Sequence, residues 1–230
     1  LRNSPPVTKM GGGFTMCKSL TYKILAAVMA LSAANWALPT DVSAGYVENG
    51  DYYYVTADGE TISKNYTSVY GNGHSFTITG GTIYGEVFGV GNGNYDEDAS
   101  GGNVTFNNSS ADFVYGGRSS NGTVSDNHVT LNNSSAYYVY GGYSSKGDAN
   151  ENHVTINGGT FEGGTTLSSI GIFGAFSSKG TDIKLNDNNV TISNAIIKTN
   201  VYGGYYSGNS SAEIKNNTIT IKENTDISEA

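Results

Sequence analysis

Residues 139–159 read VYGGYSSKGDANENHVTINGG, and residues 114–134, 25 positions earlier, read VYGGRSSNGTVSDNHVTLNNS. The two copies share a Val-Tyr-Gly-Gly opening and an Asn-His-Val-Thr-aliphatic close, while the polar residues between wander. An enzyme rarely needs two copies of one active-site loop. A unit that must lie on another copy of itself to bury its apolar side improves with each repetition.

The pattern extends in both directions. The closing triplet recurs as Phe76-Thr77-Ile78, Val104-Thr105-Phe106, Val129-Thr130-Leu131, Val154-Thr155-Ile156, Val190-Thr191-Ile192 and Ile219-Thr220-Ile221, spaced by 28, 25, 25, 36 and 29 residues. The opening triplet follows as Val87-Phe88-Gly89, Val114-Tyr115-Gly116, Val139-Tyr140-Gly141, Ile172-Phe173-Gly174 and Val201-Tyr202-Gly203. Two interleaved series that keep step through changes in loop length mark a repeat architecture. Period-2 alternation makes each closing triplet a half-buried strand with Thr outward and its neighbours inward. Such a short strand buries its face only when copies stack in parallel about 4.8 Å apart. A propeller blade needs four strands in about 40 to 45 residues, whereas two clear strands recur here in as few as 25. The expected class is therefore all-β, a β-solenoid of roughly six coils, with a third and weakly marked strand in each.

The remaining composition agrees. Gly (32) and Tyr (17) are abundant, Pro (3) is scarce, and 14% of the residues are charged, which disfavours both a helical bundle and a charged disordered tail. From Met16 a basic segment, MCKSLTYK, precedes the apolar run ILAAVMALSAANWAL and the small-residue stretch PTDVSA, the order of a helical signal peptide. The expected organisation is an upstream extension over 1–15, a signal peptide over 16–44 cleaved after Ala44, an entry and capping segment over 45–73, and solenoid repeats over 74–230. Removing the leader leaves 8 basic and 19 acidic residues, about −11, which excludes the basic surface that nucleic acid demands. The sole cysteine, Cys17, lies in the leader, so the exported part forms no disulfide.

Most repeated residues read as structural. Gly89, Gly116, Gly141, Gly174 and Gly203 mark a sharp bend or a close approach of backbone. Asn127, Asn152, Asn188 and Asn217, each two residues before a triplet, are expected to form a column whose amides bond up and down the stack. With the Val column inward, Phe88, Tyr115, Tyr140, Phe173 and Tyr202 form an outward stripe, with Tyr143, Phe176 and Tyr205 beyond the glycines. Tyr115, Tyr140, Phe173 and Tyr202 are then the candidate ligand contacts, for a sugar or a partner surface. The alternative is that this column turns inward or is covered by its neighbours. His128 and His153, at equivalent positions, lie about 5 Å apart, close enough to share a metal. No third ligand recurs, since Asn103 and Asn189 stand at that position in neighbouring copies, so no metal and no cofactor are expected. An enzyme on this scaffold needs carboxylates from several copies. The acidic cluster Asp96-Glu97-Asp98 lies on one loop and reads as a solvated turn. The tandem Gly-Gly-x-Gly-x-Asp pattern of calcium-binding nonapeptides does not occur.

The tandem pattern of VYGGYSSKGDANENHVTINGGT (139–160), following a leader of this kind, resembles the passenger regions of bacterial autotransporters and related adhesins of Gram-negative-type cells. The resemblance spans about 74–221. It implies a right-handed parallel β-helix carried through the inner membrane by the export machinery and displayed or released at the outer membrane. It also implies a non-catalytic role, as an adhesin for a host glycan or surface protein or as a stalk. The alternative is a secreted carbohydrate-active enzyme, a polysaccharide lyase or hydrolase. A complete autotransporter ends in a membrane barrel of alternating segments of about 10 residues. Nothing after Val201 supplies one, so the chain is expected to be a fragment lacking further coils and its outer-membrane anchor.

Overall fold

The computed structural model describes residues 41–42, 45–92, 94–162 and 171–227, all within the unit Pro39–Ala230. The expected extension over 1–15, Cys17 and the cleavage position Ala44 lie outside the described residues. Of the expected leader, only the strand Asp41–Val42 is described. Every regular element among the described residues is a strand, and most ladders are parallel.

Two sheets carry the fold. One has seven strands, ordered from Thr218–Ile221 through Asn189–Ser193, His153–Asn157, His128–Asn132, Asn103–Asn107 and Phe76–Thr79 to Glu60–Ile62. Its register pairs equivalent residues of successive copies: Val104 with Val129, Val129 with Val154, Thr130 with Thr155. Val104, Val129 and Val154 are at most 1% exposed, so the apolar seam is continuous through these copies. The other sheet has nine strands, and its six later members run from Ser68–Tyr70 through Thr82–Gly91, Ser110–Ser119, Ser135–Ser144 and Gly171–Ser177 to Asn200–Tyr206 after Tyr52–Val55. Val87, Val114, Val139 and Ile172 face the same core as the seven-stranded sheet. The weakly marked third strand is present as Ala99–Ser100, Val124–Ser125 and Ala149–Asn150, with a separate parallel pair at Ile183–Asn186 and Ala212–Lys215.

The corners explain how the chain changes direction. Left-handed residues occur seven positions apart on either side of the closing triplet: Gly73 and Gly80, Gly101 and Asn108, Asp126 and Asn133, Glu151 and Gly158, Asp187 and Asn194. Gly, Asn and Asp tolerate this conformation best, which accounts for the polar composition between the strands. Glu151 is the exception and carries backbone strain.

The sequence series omits two members. Glu60-Thr61-Ile62 pairs with Phe76-Thr77-Ile78, but a carboxylate at its first position hides it among apolar triplets. Val69-Tyr70-Gly71 repeats the opening triplet and pairs with the strand carrying Val87 and Phe88. At this end Tyr46–Asn49 runs antiparallel to Tyr52–Val55, and Asp41–Val42 antiparallel to Tyr46–Asn49. The parallel ladder thus terminates on a reversed strand, which offers no further parallel register. The phenol of Tyr66 donates to Glu48, tying the reversed strand down, and Tyr53 donates to Glu60 at 3.0 Å, joining the two sheets at this end.

Candidate functional site: an aromatic sheet face and an amide column

Opposite the valines, the nine-stranded sheet carries seven rings in register: Tyr54, Tyr70, Phe88, Tyr115, Tyr140, Phe173 and Tyr202. Consecutive centroids are 4.9, 5.4, 5.3, 5.1, 4.9 and 5.0 Å apart, each pair stacked. This spacing is that of the strands themselves, so one aromatic per copy on one face must stack. Two flanking columns cover it. Phe113 stacks on Tyr138 at 4.4 Å on one side, and Tyr143, Phe176 and Tyr205 meet it on the other, Tyr143 and Phe176 edge-on. Arg118 occupies the Tyr143 column one copy earlier, lies 4.7 Å from the Tyr115 ring centre and pairs with Glu86 at 2.6 Å.

This geometry decides what the stripe offers a ligand. Tyr115 and Tyr140 are each 5% exposed and Phe173 is fully buried; Tyr202 is half-buried. The faces of the interior rings are occupied by their neighbours, leaving no open face on which a sugar can stack. Tyr138 and Tyr143, half-buried, form the outer surface. Burial pushes the phenols of Tyr115 and Tyr140 well above the usual tyrosine range, and burial pushes Tyr54 up to about 12. These phenols stay neutral at physiological pH. The flanking columns of Phe113 and Tyr138, two residues before the stripe, are the part that the sequence series did not mark.

The asparagines form a bonded column. Nδ2 of Asn127 donates to Oδ1 of Asn152 at 2.9 Å, Asn152 to Asn188 at 3.1 Å, and Asn188 to Asn217 at 2.8 Å. Each Oδ1 also accepts a backbone N–H from the preceding copy, and each Nδ2 reaches a carbonyl of the third strand: Asn127 to Ala99, Asn152 to Val124, Asn188 to Ala149. Asn127, Asn152 and Asn188 are wholly buried, so these bonds satisfy polar groups that water does not reach. The glycines make room for it. A Cβ on Gly116, Gly141 or Gly174 would come within 2.5 Å of the carbonyl oxygen of the next copy's glycine and about 3 Å from an asparagine Cβ. A Cβ on Gly117 or Gly142 would meet the carboxamide itself at 2.5 Å. Gly203, at the end of the series, faces Asn217 Cβ. None of these glycines has a left-handed backbone; close approach alone requires them.

His128 and His153 are register partners with rings stacked at 4.7 Å. Among the described residues no group of three His, Cys, Asp or Glu could hold a metal. Asp96 accepts from Asn121 Nδ2 at 2.8 Å and Asp98 from the Thr123 N–H at 2.7 Å, so these carboxylates close a turn onto the next copy. Burial, and then the neighbouring His128, lower the pKa of His153, partly opposed by Asp126 and Glu151. The unfolded chain therefore takes up this proton first: the stability is held above the ordinary value of 6.5 and lost as pH falls through and below it. His153→Asn, the residue at this position in two other copies, should flatten the fall in melting temperature between about pH 7.5 and 5.5. An unchanged slope in thermal melts would remove the histidine pair from the pH response.

Comparisons with protein-family models, with curated proteins and with solved structures find no match for this chain.

Proposed function

We propose that this chain is an exported, non-catalytic surface protein, a passenger of the autotransporter type that serves as an attachment element or a stalk, built as a right-handed parallel β-helix. The observation that supports it most is that each repeated residue type is used on its own copies: valine on valine, ring on ring, amide on amide. Such columns fix a long regular scaffold and consume the chemistry of the repeated side chains. Two sheets whose strands follow one another in the same order favour successive coils, and parallel crossovers are right-handed in about 98% of cases. The absence of cysteine after Cys17 suits a chain that crosses a membrane before folding.

Display is tested on whole cells that express the natural gene. An antibody raised against residues 45–227 should label intact cells, and external protease should strip the label. Labelling that appears only after permeabilisation, with no protein in the medium, would end this reading.

A further inference from the structure

Away from the stacked rings, an open groove of about 780 Å³ runs across four copies at the corner where the closing triplet gives way to the nine-stranded sheet. One wall is a row of hydroxyls that includes Ser110, Ser135 and Thr160; Ser110 Oγ lies 3.2 Å from Thr82 Oγ1. Over it stand two carboxylates, Asp112 and Glu162, and the ring of Tyr137. The register of Ala111 with Ala136 and Phe113 with Tyr138 puts Asp112 beside Tyr137. Tyr84 lies in the strand on the other side of Asp112, in a bulge between the Ile83–Ala111 and Glu86–Phe113 pairs.

Three properties set this surface apart from the aromatic stripe. Tyr137 and Tyr84 are 55% and 63% exposed and stack on no other ring among the described residues. The Asp112 carboxylate is half-buried with no hydrogen-bond partner among the described residues, an acceptor held ready for a donor. The lining contains no Lys or Arg, which disfavours a polyanion in a chain that is already acidic. Exposed aromatic rings, carboxylate acceptors and a hydroxyl wall together match a ligand with apolar ring faces and many hydroxyl donors.

We propose that this groove binds a neutral polysaccharide laid across the copies, with one sugar ring on Tyr137 and its hydroxyls donating to Asp112 and Glu162. The proposal rests on the reading of the chain as a displayed binding surface that holds its ligand without cleaving it. The full chain has a formal net charge of −8 and should enter native gels, so gels cast with dextran, mannan, laminarin or xyloglucan provide the assay. At least one of the four should retard it, and Tyr137→Ala and Asp112→Asn should each weaken that retardation about tenfold with thermal melts unchanged. Retardation by none of the four, or retardation insensitive to both substitutions, overturns the groove while leaving display at the surface intact. Retardation sensitive to both substitutions and accompanied by new reducing ends supports the groove and removes the non-catalytic part of the function.

Discussion

Asn152→Ala is expected to lower stability by about 3 to 5 kcal/mol, read as a drop in the urea midpoint of the circular dichroism signal. Asn152 sits mid-column and takes part in every type of bond found there. Its removal takes the acceptor from the buried N–H of Asn127 and from the Asn127 amide, and the donor from the Val124 carbonyl. Each buried group left unpaired costs about 1 to 3 kcal/mol, and no water reaches the site. Asn152→Asp is the sharper comparison, because it retains the shape and the acceptor while removing the donor. It should be at least as damaging, since a carboxylate would then face Oδ1 of Asn188. A loss below about 1 kcal/mol for both substitutions would show that the column is not holding the copies together.

Gly141→Ala should cost about 3 kcal/mol, at the upper end for overpacking, because the new methyl would meet the backbone carbonyl of Gly174 at 2.5 Å. Backbone cannot move aside without breaking the ladder to Gly171–Ser177. The next residue provides an internal control. A methyl on Gly142 would meet the Asn152 carboxamide at 2.5 Å, a side chain rather than backbone, and Gly142 pairs with Ala175, so one copy already accommodates a methyl there; Gly142→Ala should be the milder change. A Gly141→Ala midpoint equal to that of the parent chain would contradict the close-approach explanation.

The register of the sheets was legible because side-chain alternation and like-with-like pairing impose the same constraint: only one alignment puts Val104, Val129 and Val154 on the core side together. Glu60-Thr61-Ile62 escaped because its first position accepts a hydrogen bond from Tyr53, where Phe76, Val104, Val129, Val154 and Val190 are buried apolar side chains. The left-handed corners are written in the sequence as Gly, Asn and Asp, but these residues are so common here that their seven-residue spacing does not stand out. The aromatic stripe shows the limit most clearly. The sequence marks Tyr115, Tyr140 and Phe173 as equivalent, yet equivalence at strand spacing is what turns each ring face onto the next. The exposed rings, Tyr84 and Tyr137, belong to no repeated column, and a search for repetition passes over them.

The broken third sheet has a mechanical consequence. Ladder hydrogen bonds run along the direction in which the copies follow one another, so a pull in that direction loads every junction in series. Each junction then bears the whole tension, and the weakest one sets the yield point. Where Ala149–Asn150 meets Ile183–Asn186 the third sheet supplies only the Glu151 N–H to the Asn186 carbonyl and two side-chain bonds, with no strand pairing, so the load there passes through the two main ladders and the asparagine column. Pulled that way, the chain yields one junction at a time, at a rate governed by the unfolding barrier of the junction that gives.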